Sequence, residues 1–306
     1  MSQPGLAQTL FGVTFKNPVL TASGTFGYGE EFSDFFDVSR LGGLVTKAVT
    51  PEPRIGNPAP RIIETPSGML NAIGLQNEGL RYFTETIFPR IRDFDTNIIV
   101  NVAGRTADDY TEVCAELDGF EEIRALEINI SCPNVKEGGV SFGCSALSAS
   151  ALVGKLRGET GKPLIVKLTP NVTDIGEVAR SVEDAGADAV SLINTLTGMV
   201  VDVEKRRPML ANVTGGLSGP AIRPVAVRMV HEVSRAVSIP VIGMGGIFSA
   251  RDALEFIIAG ASLVQVGCGI FVKPRLPVET IEGIGDYLVR HDFISITEII
   301  GTLCYE

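Results

Sequence analysis

Cys132 stands in the run NISCPNVKEGG, residues 129–139, where an apolar strand-like stretch, Ala125–Ile128, gives way to two amides, a thiol, a proline and a glycine pair. A thiol there can act as a general base, act as a nucleophile, or simply be buried. Pro133 stiffens the turn, and the KEGG tetrapeptide supplies the freedom of a loop that closes over a ligand and excludes water. His231 and His291 both fall in helix-like segments, which disfavours a Cys–His nucleophile. Other polar residues stand at the ends of short apolar runs: Ser23, Lys47, Asn101, Asn129, Lys167, Asn194, Gly245–Gly246 and Gly267. Burying such lysines and asparagines without partners would cost roughly 1–3 kcal/mol each. A bound polar ligand would satisfy them.

The residue types narrow that ligand. A carboxamide both donates and accepts, so Asn71, Asn129, Asn134 and Asn194 suit a ring with alternating N–H and C=O groups. Lysines suit a carboxylate, or the negative charge of a reduced flavin ring. The segment GMGGIFSARDALEF has a glycine turn followed by Ser249 as helix N-cap, with Asp252 three residues on. VGCGIF follows the next apolar run. Glycines at such places let backbone N–H groups approach a phosphate. The set describes a pyrimidine carboxylate beside a phosphorylated cofactor better than a sugar.

Eight apolar runs must position these groups: Pro18–Ser23, Gly43–Lys47, Ile98–Asn101, Ala125–Asn129, Leu164–Lys167, Ala189–Asn194, Pro240–Met244 and Leu263–Gly267. Most are continuous rather than alternating, as in parallel strands covered on both faces. Helical periodicity marks Leu147–Arg157, Asp174–Ala185, Pro224–Ala236 and Ala250–Ala259 between them. EDAGADAVSLI and FIIAGASLVQV share the form helix, Ala-Gly-Ala, strand, the trace of a repeated β/α unit. Eight units predict a (β/α)8 barrel, with a doubly wound open sheet as the alternative. The opening LAQTLFGVTFKNPV reads as a hairpin closing one end. Two long connections, residues 48–97 and 195–238, are expected over the C-terminal mouth, where barrel ligands bind. No linker is visible, so residues 1–306 read as one domain.

Composition fits a chain of this type. With 306 residues, 45% hydrophobic and 20% charged, it can bury a large core. A net charge of −10 argues against a general nucleic-acid binder. Five scattered cysteines fit neither a zinc site nor an iron–sulfur cluster and suggest reduced thiols in a cytoplasm. Neither a signal peptide nor a membrane span is expected.

The segments NPVLTASGTFGYGEE, GGLVTKAVT, GMLNAIGLQNEG, EINISCPNVKEGG, IVKLTPNVTDI, INTLTGM, ANVTGGLSGPAI and VIGMGGI together resemble the catalytic subunits of the class 1B, NAD-linked dihydroorotate dehydrogenases. The resemblance spans nearly the whole chain. It implies an FMN-binding barrel that oxidises (S)-dihydroorotate to orotate in pyrimidine synthesis. Cys132 matches the base that removes the C5 proton while the C6 hydride goes to flavin N5. Lys167 matches the cation near flavin N1 and O2, and Lys47 the bridge between substrate and flavin. Substrate contacts correspond to Lys47, Asn71, Ala72, Ile73, Gly74, Leu75, Asn129, Asn194 and Thr195, with Asn134 beside them. Flavin contacts correspond to Ser23, Lys47, Ala48, Asn101, Asn129, Lys167, Ile193, Gly219, Gly245, Gly246, Gly267 and Cys268. Cys268 departs from the small hydroxyl residue expected there, but its backbone N–H still suits phosphate.

Within the resemblance, a cysteine base and a start only about ten residues before the barrel set the chain apart from quinone-linked relatives, which use serine and carry an apolar N-terminal helix. NAIGLQNEG resembles the NAD-linked rather than the fumarate-linked class. With neither a cluster-ligand cysteine set nor an N-terminal dinucleotide fingerprint, the chain must pass electrons to another polypeptide. The resemblance implies a subunit carrying FAD and [2Fe–2S], and a homodimer core within a heterotetramer. The alternatives are a fumarate-linked enzyme, a dihydropyrimidine dehydrogenase-type reductase, a flavin-free lyase using Lys167 as a Schiff base, and a non-catalytic phosphate-binding barrel.

Overall fold

The computed structural model describes residues 4–131 and 142–305. Eight parallel strands close into a barrel: β1 Val19–Thr21, β2 Gly43–Val45, β3 Asn97–Val102, β4 Ile123–Asn129, β5 Leu164–Lys167, β6 Ala189–Leu192, β7 Val241–Met244 and β8 Leu263–Val266. All eight expected runs are strands, differing by a residue or two at their ends. Every residue of β5, β6, β7 and β8 is buried, as continuous apolar runs require when helices cover one face and the barrel core the other. The covering helices are α1 (residues 79–91, with a π-helical turn in its middle), α2 Ala107–Asp118, α3 Ala146–Arg157, α4 Ile175–Asp184, α5 Arg223–Ser234, α6 Ala250–Ala259 and α7 Leu276–Arg290. The first β/α unit departs from the ideal repeat, since two 3-10 turns, Glu30–Phe32 and Val38–Arg40, follow β1 in place of an α-helix. The glycines of the two Ala-Gly-Ala repeats, Gly186 and Gly260, have φ of +100° and +125°, the left-handed turn that ends α4 and α6.

Alternation along the strands sorts the barrel interior into layers. At one end Leu20, Val45, Ile99, Ala125, Ile165, Ala189, Ile242 and Leu263, one from each strand, form a separate apolar cluster with Val13 and Phe15. The last two belong to the hairpin Gln8–Leu10/Val13–Phe15, which plugs that end. Two positions on, Asn101, Glu127, Lys167, Ser191, Met244 and Gln265 stand on the same face of their strands, and Ala22 and Lys47 come just past the ends of β1 and β2. The interior thus changes from wholly apolar to mainly polar within one step of the pleat.

The two long insertions meet. Ile62–Thr65 and Gly68–Asn71 come from the first, Leu196–Gly198 and Gly215–Ser218 from the second, and they pair into a four-stranded antiparallel sheet. This sheet forms a wall of the cavity at the C-terminal strand ends.

Candidate active site

A cavity of about 710 Å³ opens where the C-terminal strand ends meet the insertion sheet. Strand ends and the turns after them contribute Ser23, Lys47, Ala48, Asn129, Lys167, Ile193, Asn194 and Thr195. The first insertion contributes Asn71, Ala72, Ile73, Gly74 and Leu75, and the turns after β7 and β8 contribute Gly245, Gly246, Gly267 and Cys268. Asn101 and Gly219 do not line it. Asn101 lies within β3 rather than at its end and is fully buried. Gly219 packs against the insertion sheet, where a Cβ would come within 2.5 Å of Gly68 Cα. Cys132 and Asn134 lie outside the described residues. Their described flanks are pinned at the end of β4: Ser131 Oγ donates to the Lys167 carbonyl at 3.2 Å, and Gly143 N donates to Ile130 O at 2.9 Å.

The charge of this cavity runs against that of the chain. Among the described lining residues are Lys47, Arg61 and Lys167, and no Asp or Glu, although the protein carries −10 overall. Lys47 Nζ has no carboxylate within ion-pair distance among the described residues. Such a site favours an anion, since fixed cations in a low-dielectric cleft concentrate the field on it.

The amides around the cavity are each half committed. Asn71 Nδ2 donates to Gly216 O at 3.3 Å, leaving Oδ1 as an acceptor. Asn194 Oδ1 accepts from Thr195 N at 2.9 Å and Asn129 Oδ1 from Ser131 N at 3.3 Å, leaving their N–H₂ groups as donors. Tyr110 fixes Asn129 from behind by donating to its carbonyl at 2.7 Å. The free donors and acceptors suit a heterocycle with both kinds of group on its edge.

Beneath the cavity lies a network whose centre, Glu127, and whose members Ser191 and Gln265 the strand-end reading did not include. Glu127, 0% exposed, accepts from Asn101 Nδ2 at 2.7 Å, Lys167 Nζ at 3.3 Å, Ser191 Oγ at 3.0 Å and Gln265 Nε2 at 2.7 Å. A carboxylate survives at such depth only when its lone pairs are filled and a cation is at hand. Alternation would have found it, because Glu127, Ser191 and Gln265 each follow an inward apolar residue by two positions. Arg61, Gln76, Thr169, Asn171 and Thr214, also on the cavity wall, sit in loops and insertions whose fold no periodicity reports.

The turn after β7 leads to α6, whose N-cap Ser249 accepts from Asp252 N at 3.3 Å, as its spacing predicts. The Cys268 thiol lies in the neighbouring turn, after β8. Burial pushes it above the ordinary thiol range, against a smaller downward pull from its hydrogen bond with Ser218. A second hollow of about 1010 Å³ lies on the outer faces of α5, α6 and α7 and holds both histidines, away from the strand ends.

The closed barrel, the insertion wall and a cationic cavity whose described lining holds no carboxylate together define a β/α-barrel enzyme for a small anionic ligand. The dihydroorotate dehydrogenase family model matches residues 5–288, and the chain belongs to that family. It is 57% identical over 288 residues to the "dihydroorotate dehydrogenase B (NAD(+)), catalytic subunit" of Bacteroides thetaiotaomicron, covering 94% of this chain and 95% of the relative. Proteins of the same name from Porphyromonas gingivalis (55% over 295 residues, 96% of each chain) and Geotalea daltonii (54% over 303 residues, 99% of each) are similar throughout.

Proposed function

We propose that the chain is the catalytic subunit that oxidises (S)-dihydroorotate to orotate in the synthesis of UMP, as one FMN-binding domain spanning residues 1–306. Electrons pass to NAD through a partner subunit carrying FAD and [2Fe–2S], in a cytoplasmic heterotetramer built on a homodimer. One observation carries this reading: a net-acidic chain keeps every carboxylate off the described cavity wall while setting three cations and several half-committed amides there. Dihydroorotate is an anion whose ring alternates N–H and C=O groups. The names of the relatives support the substrate, the acceptor and the existence of a second subunit. No helix among the described residues is long and apolar enough to cross a membrane.

The residues fit FMN. The buried Oδ1 of Asn101 and Oε1 of Gln265 lack hydrogen-bond partners, and a Cβ built on Gly267 would meet only Ala22, at 3.6 Å. Unfilled acceptors and open space at a strand end are what a polar ring and a phosphate tail require. In this reading Ser23, Lys47, Ala48, Asn129, Lys167 and Ile193 hold the ring and ribityl chain, with Asn101 and Gly219, just behind the cavity wall, completing that set, and Gly245, Gly246, Gly267 and Cys268 hold the phosphate. Bound FMN supplies the two-electron acceptor.

The protein's own work is orientation and proton removal. Lys47 and the Ala72–Leu75 stretch bind the substrate carboxylate, while Asn71, Asn129, Asn194 and Thr195 fix the ring. Cys132 takes the C5 proton. Lys167, held from below by Glu127, keeps positive charge at the cavity floor.

The test is to purify the chain with and without its partner and to follow visible flavin absorbance and dihydroorotate oxidation. NAD-dependent turnover is expected only with the partner. Rapid turnover of the isolated chain with fumarate would make it a fumarate-linked enzyme. A preference for uncharged dihydropyrimidines would overturn the substrate assignment.

A further inference from the structure

Glu127 reaches the ligands only through other side chains, yet everything polar at the cavity floor except Lys47 is attached to it. Its Oε1 receives Asn101 and Lys167, and its Oε2 receives Ser191 and Gln265. Four donors fill the roughly four lone-pair sites of one carboxylate, so each of these side chains is held in a fixed sense.

The arrangement has two consequences. A carboxylate only accepts, so both amides must turn their N–H₂ groups toward it. Their oxygens are thereby turned away, and Asn101 Oδ1 and Gln265 Oε1 are two of the four buried side-chain polar atoms without hydrogen-bond partners among the described residues, Thr21 Oγ1 and Arg223 Nε being the others. Glu127 thus decides that Asn101 offers an acceptor rather than a donor. The second consequence is charge. Lys47 and Lys167 bring two positive charges to the floor, and Glu127, at 0% exposure, cancels one of them. The floor is left with one net positive charge, and the Glu127–Lys167 pair is buried deeply enough that water screens a change there only weakly.

We propose that Glu127 is a positioning residue that sets the redox balance of the bound flavin, by fixing the net charge beneath it and the hydrogen-bonding sense of Asn101. The inference rests on the flavin reading above. Removing the Glu127 charge leaves two cations at the floor and favours the anionic reduced flavin. Removing Lys167 leaves Lys47 against Glu127, with no net charge, and favours the oxidised form. Removing both restores the original count.

The experiment is spectroelectrochemical titration of the flavin-loaded chain, with flavin dissociation constants measured by fluorescence, for wild type, Glu127→Gln, Lys167→Met and the double variant. Glu127→Gln should shift the ratio of oxidised to reduced flavin dissociation constants at least tenfold toward the reduced form, about 30 mV for a two-electron couple. Lys167→Met should shift it the opposite way, and the double variant should fall between the two. Glu127→Gln should also weaken oxidised flavin, since a carboxamide facing four donors turns at least one amide over.

Should Glu127→Gln not fold, the double variant, which buries no unpaired charge, must still lie above Lys167→Met. Shifts of the same sign in both single variants, or equal potentials in Lys167→Met and the double variant, overturn the proposal. With wild type binding flavin and oxidising dihydroorotate, that result sinks this inference alone. A wild type that binds no flavin sinks the functional reading with it.

Discussion

Asn71 and Gly216 are paired residues on strands from two insertions more than a hundred positions apart, and the Asn71 side chain donates to the Gly216 carbonyl at 3.3 Å. One amide therefore serves two purposes. Its nitrogen ties the first insertion to the second, and its oxygen is left for the ligand. Asn71→Ala is expected to raise KM for dihydroorotate tenfold or more, with a smaller fall in kcat, because binding is lost in ground and transition states alike. It should also speed amide hydrogen exchange in residues 215–218. Unchanged exchange would show that the sheet does not depend on this bond.

The hairpin plug gives a prediction of the opposite kind. Phe15 is fully buried among the apolar ends of the strands, at the far end of the barrel from the cavity. Phe15→Ala should cost about 3–5 kcal/mol of stability, measured by urea unfolding. Turnover per folded molecule should stay within about twofold of wild type. A large loss of kcat in the folded fraction would mean that the apolar layer transmits strain to the polar one.

Much of this architecture was legible in the sequence because burial on both faces leaves continuous apolar runs, and eight of them with helical spacers admit few solutions. The strand-end rule located Lys47, Asn129 and Lys167 for the same reason: a strand must stop where its polar residues reach a mouth. It misread Asn101, since β3 runs on to Val102. It passed over Glu127, Ser191 and Gln265, because a polar residue inside a strand looks like an interruption until alternation assigns it a face. The pairing of Gly68–Asn71 with Gly215–Ser218 was not legible at all. Its strands are short, glycine-rich and distant in sequence, and their register is set by tertiary contact.

The assignment of Cys132 predicts a separation of binding from turnover. Cys132→Ala should keep the yellow bound flavin and lose nearly all dihydroorotate oxidation. In wild type an ordinary thiol has a pKa of about 8.5, so only a few per cent is ionised near neutrality. The rate of the chemical step should therefore rise toward alkaline pH. A profile flat between about pH 6 and 9, with chemistry rate-limiting, or normal activity in the alanine variant, would remove the base from this position.

Stability should respond to pH through a different thiol. Cys114, fully buried in α2, is pushed by burial from its ordinary value of 9.0 up to about 12. The folded state therefore holds a proton that the unfolded chain releases near 9.0. Above that value the unfolded state binds fewer protons, so stability must fall as pH rises, by at most about 1.4 kcal/mol per pH unit from this group. Below it the contribution is complete and constant. Tyr28, raised to about 12 by burial and by Glu31, adds a slope of the same sign from 10.0 upward. Urea titrations at about pH 8, 9.5 and 10.5 should show wild type losing stability faster than Cys114→Ala. Parallel curves would mean that the thiol opens to water before it ionises.

The turn after β7 offers the most localised test of the phosphate assignment. A Cβ on Gly246 would sit 2.7 Å from Gly219 O and 2.8 Å from Arg223 Cβ, so the two turns approach only because this side chain is absent. Neither contact is the free end of a flexible chain, and relief requires backbone movement. Gly246→Ala should push the turn after β7 away from the segment carrying Gly219, and both belong to the proposed flavin contacts. The expected result is a rise of at least tenfold in the FMN dissociation constant with a smaller effect on riboflavin, which lacks the phosphate. Supplying excess FMN should then restore most of kcat, since Lys47, Lys167 and the amides are untouched. Equal weakening of FMN and riboflavin would place the damage at the ring instead, and the turn after β7 would lose its role as the phosphate cradle.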